Sequence, residues 1–348
     1  MNGSQNAIPR NGTSSMSSSS AALGIAILSI AIVIGIPGNL FVIWTILCRM
    51  RKRSVTCILI LNLAMADVVV LLMTPFFLHF LSVKCWVFGN GICKFCHYFC
   101  CVNMFASITI MTFMSLDRFL AIWKPFISQE VRTKGTVFKI LVGLWIWSFL
   151  LALPMIFYKE VKPYGPIEIC VATHASYRHV VFQYLSETIL GFLAPFTIIT
   201  ISYSGIGFRL QNTRFQRKRR TGKLISMIVI TFALFWLPYH IVNLIQVSGV
   251  MTSNAELAKT LITAAKTARP NLTALAFVSS SVNPVLYAFA GSNFIRTAKG
   301  NFIAKLFEGT SEASSIRKFS RALREQSAKC SVELSKVQET KSITNQAF

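Results

Sequence analysis

The chain has 348 residues, 53% of them hydrophobic and only 14% charged, against about a quarter charged in an ordinary soluble domain. That composition excludes a soluble globular protein and points to a membrane protein. A net charge of +23 would suit nucleic acid, but the basic residues gather in alternate loops and in the tail, the pattern of a topology signal. No nucleic-acid partner is expected.

Residues 1–20 are polar and Ser-rich, without the charged and apolar regions of a cleavable signal peptide. They hold two N-glycosylation sequons, at Asn2 and Asn11, which favour an extracellular N-terminus. A third match, Asn271-Leu-Thr, lies in an apolar segment and is expected to stay unmodified. Seven apolar segments follow, at 23–47, 56–80, 92–123, 136–158, 180–208, 223–247 and 267–290. Each reaches the roughly 20 residues that a spanning helix needs. Arg49, Arg51, Lys52 and Arg53 follow the first segment, Lys124, Arg132 and Lys134 the third. The run from Arg209 to Lys223 follows the fifth. These loops therefore face the cytoplasm, giving an all-α bundle of seven spans over 21–291.

Prolines fall within the segments at Pro37, Pro75, Pro154, Pro195, Pro238, Pro270 and Pro284. A bundle can satisfy the carbonyls they free, and the kinks provide hinges. Beyond the last span, 292–307 alternates Phe, Ile and Leu with Arg and Lys at helical spacing, as in an amphipathic helix on the inner leaflet. The tail at 308–348 is polar and rich in hydroxyls, the composition of a disordered, phosphorylatable segment.

The few acidic residues inside apolar segments are Asp67, Asp117 and Glu187. Charges at membrane depth usually mark function. The plainer alternative for Asp117-Arg118, at the inner end of the third span, is a helix end meeting headgroups. Nine cysteines form no metal-binding pattern; most read as small buried hydrophobes. A transporter or pump would need a titratable relay across the membrane, but Asp67 and Glu187 lie in opposite halves. An enzyme would need a nucleophile with its base, or a metal cluster, and neither is visible.

An ordered set of motifs then stands out: Gly38-Asn39 in the first span, Leu61-Asn62-Leu-Ala-Met-Ala-Asp67 in the second, Asp117-Arg118-Phe119 in the third and Trp145 in the fourth. Pro195 and Tyr203 follow in the fifth, Phe232-Ala-Leu-Phe-Trp236-Leu-Pro238 in the sixth, and Asn283-Pro284-Val-Leu-Tyr287 in the seventh. On these residues the chain resembles the rhodopsin-like (class A) G-protein-coupled receptors over 23–307. Phe119 stands where that family usually has Tyr, and Phe235 where it has Cys. Neither change removes a charged group. Phe277 takes the place of the opsin lysine, and Cys100 that of the amine-receptor aspartate. Longer strings, among them PFFLHFL (75–81), SLDRFLAIWKPFISQ (115–129) and AKLFEGTSEASS (304–315), are similar to the leukotriene B4 receptors within the chemoattractant branch.

The resemblance implies a plasma-membrane receptor for a lipid chemoattractant such as leukotriene B4. It would act through inhibitory-type G proteins in leukocyte chemotaxis and inflammation, with arrestin and receptor kinases acting at the tail. The alternative is a receptor for another lipid or for a formyl-peptide or chemokine-like ligand. The implied activation switch comprises Asp117, Arg118, Tyr203, Phe232, Trp236, Pro238, Asn283, Pro284 and Tyr287. The implied sodium site, the one cofactor-like ion expected, comprises Asn39, Asp67, Ser107 and Asn283. A packing network or a protonated Asp67 is the alternative. A disulfide of Cys93 with Cys170 is implied likewise, with Cys85 as a competitor. For the ligand, His97, Phe105, Lys159, Glu187, Asn243 and Arg269 would line an apolar cavity suited to an acyl chain bearing a carboxylate and hydroxyls. Solvated rim charges are the plainer reading of His97, Lys159 and Arg269.

Overall fold

In lipid, backbone polar groups must be satisfied within the helix itself, and the computed structural model, which describes residues 18–49, 54–211 and 216–289, is built accordingly. Helix α1 spans Ser18–Trp44 and runs into a wide π turn, Thr45–Arg49. Helices α2 (Val55–Val83) and α3 (Gly89–Trp123) follow, then α4 (Pro125–Val131), α5 (Lys134–Ala152) and α6 (Pro154–Tyr158). A hairpin of β1 (Lys159–Tyr164) and β2 (Ile167–Ala172) comes next. Helix α7 (Tyr177–Thr188) joins α8 (Ala194–Gln211) through a π turn, Ile189–Leu193. Helices α9 (Gln216–Met251) and α10 (Ala255–Phe289) complete the bundle. The sequons at Asn2 and Asn11, the amphipathic stretch 292–307 and the tail 308–348 lie outside the described residues.

Among the described residues, six helical stretches are long and apolar enough to cross a membrane: Ser20–Cys48, Val55–Val83, Gly89–Trp123, Lys134–Tyr158, Tyr177–Arg209 and Val229–Met251. The seventh rod, α10, turns Ser279, Ser280, Ser281 and Asn283 of its inner stretch into the bundle, where all four are buried. It also starts earlier than the apolar segment 267–290 suggests. Asn254 caps it, Oδ1 accepting from Leu257 N–H at 3.1 Å, the usual service of an asparagine at a helix start. Arg269, expected at the mouth of the seventh span, therefore lies well inside a continuous helix.

The prolines act locally as chemistry requires. Pro154 breaks the fourth span into α5 and α6. Pro195 follows the π turn, whose extra residue accommodates the missing N–H. Pro37, Pro75, Pro238, Pro270 and Pro284 lie inside helices. Helix α10 packs against both α9 and α1, and α3 packs against α2, α5 and α8. Gly35 and Gly38 allow the close approach of α1 to α10. A Cβ at Gly35 would stand 2.7 Å from Ser281 Oγ, and one at Gly38 2.8 Å from Pro284 Cβ.

The hairpin roofs the outer end. Val161 pairs with Cys170 in antiparallel register, and Gly165 takes the left-handed turn at φ 63°. A disulfide joins Cys170 to Cys93 at the top of α3, with Cα atoms 5.8 Å apart, while Cys85 is free. The buried Trp86 supports the roof from the first outer loop, its backbone N–H donating to Glu168 O at 2.7 Å.

Candidate functional site

Below the hairpin, one hydrogen-bonded chain crosses from α7 through α9 to α10. Glu187 is 3% exposed and sits at its centre. Its Oε1 accepts from Gln183 Nε2 at 2.8 Å. Its Oε2 accepts from the Tyr239 hydroxyl at 3.0 Å and from Asn243 Nδ2 at 3.2 Å. Asn243 in turn accepts Arg269 Nη1 on Oδ1 at 2.7 Å. The guanidinium lies over the ring of Tyr184 at 4.4 Å and near that of Tyr239 at 5.6 Å, an arrangement that attracts a cation to the ring face. Arg269 Nη2 is buried with no hydrogen-bond partner among the described residues.

Lys159 opens β1 at the rim of this group. Burial pushes its ammonium down from the usual 10.5 to about 8, the nearby Arg269 adding to the depression and Glu187 opposing it. His174, just past β2, is held below its ordinary value by burial, with its Gln183 hydrogen bond opposing. His97 turns Nδ1 to its own helix, at Cys93 O 2.9 Å away, and meets Phe77 edge-on at 5.3 Å. Phe105 is buried in the main core, where a Cβ added at Gly191 would meet its ring at 3.3 Å. Glu187, Asn243 and Arg269 are thus brought into one network, Lys159 stands beside it, and His97 and Phe105 make other contacts.

Deeper in the bundle, Trp236 Nε1 donates to Ser279 Oγ at 3.0 Å, and Phe232 stacks on the indole at 5.6 Å. Pro238 lies two residues further along α9. Below, Asn283 Nδ2 donates to Asp67 Oδ2 at 2.9 Å. Asn39 Nδ2 donates to Gly35 O and Ser280 O, both at 2.9 Å. Asn103, one turn above Ser107 on α3, donates to Ser280 Oγ at 3.4 Å. Ser107 Oγ, Asn103 Oδ1 and Asn39 Oδ1 are buried without a partner among the described residues. Pro284 packs near Gly38.

At the cytoplasmic end, Asp117 meets two cations. Arg118 Nη2 lies 3.2 Å from Oδ2 and Arg132 Nε 3.0 Å from Oδ1. Both arginines also donate to Thr56 Oγ1 on α2, Arg132 at 3.3 Å. Tyr203 is half-buried on α8, which packs on α3. Tyr287 lies within α10, and its side chain is outside the described residues.

Sequence reading missed Gln183, Tyr239, Tyr184 and His174 above, Asn103 and Ser280 in the middle, and Thr56 and Arg132 below. Gln183 carried a usable signal, since a residue one turn before a buried carboxylate on the same helix face is placed to bond it. Arg132 read only as part of a basic loop. Asn271, in the third sequon match, is half-buried, its Nδ2 donating to Ser20 Oγ at 2.8 Å.

The profile of the 7 transmembrane receptor (rhodopsin family) matches residues 38–287. Leukotriene B4 receptor 1 of Homo sapiens is 50% identical over 298 residues, 85% of each chain. Leukotriene B4 receptor 2 of Homo sapiens is 38% identical over 311 residues, 88% of this chain and 86% of its own. The C3a anaphylatoxin chemotactic receptor of Oncorhynchus mykiss is 34% identical over 296 residues, 82% and 78% of the two chains. These proteins are receptors and not enzymes, and the apolar helices fit a multi-pass protein of the plasma membrane. The chain belongs to the rhodopsin family of seven-transmembrane, G-protein-coupled receptors.

Proposed function

We propose that this receptor responds to leukotriene B4 and signals through inhibitory-type G proteins in leukocyte chemotaxis and inflammation. The observation that carries the reading is the Glu187–Asn243–Arg269 network. It holds a half-buried guanidinium with one buried, unused donor beside a buried carboxylate, under a roof that adds the Lys159 ammonium. The two cations outnumber the one carboxylate, which suits a ligand carrying a carboxylate, while Glu187 and Asn243 can exchange hydrogen bonds with hydroxyl groups. Aromatic rings around them suit an unsaturated acyl chain. The 50% identity to Leukotriene B4 receptor 1 supports the same ligand class.

Ligand contact in this layer would be felt by Trp236 through Tyr239, whose ring meets the indole edge-on at 5.8 Å. Movement of Trp236 would strain its bond to Ser279 and turn α9 about Pro238. At the inner end, release of Arg118 from Asp117 would free a guanidinium to move toward Tyr203 and Tyr287 and to meet the G protein. A sodium ion fits the middle of the bundle. Asp67, Ser107, Asn39 and Asn283 would hold it, the unpartnered oxygens of Ser107, Asn103 and Asn39 supplying the oxygen ligands that a hard cation takes. When bound, the ion supplies the positive charge that a buried carboxylate requires, and so favours the resting packing. Arrestin and receptor kinases would act on the tail, and inner-leaflet lipids would take the amphipathic stretch 292–307.

A second reading is a peptide chemoattractant receptor, favoured by the 34% identity to the C3a receptor. Calcium and cAMP responses of transfected cells to leukotriene B4, a formyl peptide and C3a decide between them. A response to leukotriene B4 at nanomolar concentration with none to the peptides is the expected result; the reverse overturns the ligand assignment.

A further inference from the structure

Gln183 has every polar atom in use. Its Nε2 donates to Glu187 Oε1 at 2.8 Å and faces Met155 Sδ at 3.8 Å, and its Oε1 meets His174 Nε2 at 2.6 Å. Because a carboxylate can only accept, the Glu187 contact fixes which end of the amide is nitrogen. The other end is then a carbonyl oxygen, so His174 must present Nε2–H as the donor. The run of donors is therefore directional, from His174 to Gln183 to Glu187. Gln183 is 1% exposed and Glu187 3%, so neither can trade a lost bond for water cheaply.

His174 is itself held in place. Thr173 N–H donates to Tyr158 O at 2.7 Å, which closes the base of the hairpin. The imidazole lies against Tyr158 at 4.8 Å and Tyr184 at 5.8 Å. Tyr184 is also the ring under Arg269. One histidine of the second outer loop thus touches both arms of the site, by hydrogen bond toward Glu187 and by ring contact toward Arg269.

We propose that His174, acting through Gln183, is a positioning residue for Glu187, so that the second outer loop sets the aim of the carboxylate that reads the ligand's hydroxyl groups. The ligand part of this rests on the reading given under Proposed function; the positioning part rests on the hydrogen bonds alone. Without the His174 donor, Gln183 Oε1 is buried and unpaired, the amide is held at its nitrogen end alone, and its bond to Glu187 loosens. The carboxylate then swings toward Tyr239 and Asn243. The hydroxyl-reading geometry is lost although no ligand-contacting residue has changed.

Two substitutions separate this role from simple packing. His174→Phe keeps a ring against Tyr158 and Tyr184 and removes the donor. His174→Gln removes the ring and returns an amide N–H near the place of Nε2. The full-length receptor in cell membranes, with surface expression matched, is titrated with radiolabelled leukotriene B4. His174→Phe is expected to weaken binding about three- to tenfold, the range of one neutral hydrogen bond, and His174→Gln by less than about twofold on the same scale. In a Glu187→Gln background, His174→Phe is expected to add nothing, because its effect travels through that carboxylate. The melting temperatures of the purified, ligand-free variants should follow the same order: wild type and His174→Gln together, His174→Phe lower. A Phe variant at wild-type affinity, a Gln variant as damaged as Phe, or a Phe effect unchanged in the Glu187→Gln background overturns the proposal. If the wild type does not bind leukotriene B4, the ligand reading fails by itself, and the melting order alone then decides the positioning role.

Discussion

Arg269 gives Nη1 to Asn243 Oδ1 at 2.7 Å and keeps Nη2 buried without a partner among the described residues. A guanidinium held on one side by an amide, and over the Tyr184 ring at 4.4 Å, has its direction set before any ligand arrives. Arginine suits such a place because its planar donors stay charged and desolvate more readily than an ammonium. On the proposed reading, the unused donor is where a ligand carboxylate would gain most.

Arg269→Ala should weaken leukotriene B4 binding about ten- to a hundredfold, the equivalent of a charged hydrogen bond of ~1.5–3 kcal/mol. The methyl ester of the same ligand is the control. Wild type should prefer the acid, and the variant should not. Equal losses for acid and ester would leave Arg269 a packing role only.

Lys159 should make the affinity for an acid ligand depend on pH. Its folded-state value lies near 8, depressed first by burial and then by Arg269. The sign follows: the ammonium is charged at neutral pH and loses its proton as pH rises through about 8. Binding of the acid ligand should therefore weaken between pH 7 and 9, and binding of the ester should not. Lys159→Arg should flatten the curve, since a guanidinium does not titrate there. The same depression works against the folded state as pH falls from the unfolded value of 10.5 toward about 8, so receptor stability should rise with pH across that window. Radioligand binding and melting across pH check both directions.

At the inner end, Asp117 holds Arg118 at 3.2 Å and Arg132 at 3.0 Å. Arg118→Ala should leave agonist binding within about threefold, less than one ordinary hydrogen bond, and abolish nucleotide exchange on the G protein. Asp117→Asn should do the opposite, raising exchange without agonist by about two- to tenfold, because a neutral amide holds the guanidinium less firmly. Measurement of GTP-analogue uptake in membranes tests both. Full signalling by Arg118→Ala would remove the role proposed for Arg118 in meeting the G protein.

Sodium should weaken agonist binding, because an ion that favours the resting packing and an agonist that opposes it are linked reciprocally. Asp67→Asn should abolish the salt-specific part. If sodium and a large organic cation at equal ionic strength act alike on wild type, the ion does not occupy the middle of the bundle.

The family and the number of spans were legible in the sequence, though not where the seventh begins, and the basic loops pointed to a direction across the membrane. These follow from properties carried by each segment alone: apolar length matched to the bilayer, basic residues on one side, and the motifs around Asn39, Asp67, Arg118, Trp236 and Asn283. It also pointed to Glu187, Asn243 and Arg269, since polar residues in an apolar run stand out without any knowledge of packing. Their partners follow from how the helices cross. Glu187 and Asn243 are 56 positions apart, and Arg118 and Thr56 are 62; no periodicity within a helix relates such positions. The helix crossings do, and these depend on details such as the space over Gly35 and Gly38 and the π turn before Pro195. Gln183 had only its place one turn before Glu187 to mark it in the sequence, and His174 had nothing beyond its polarity. They entered the site because the closed hairpin and the first turns of α7 bring an imidazole N–H within 2.6 Å of a buried amide oxygen.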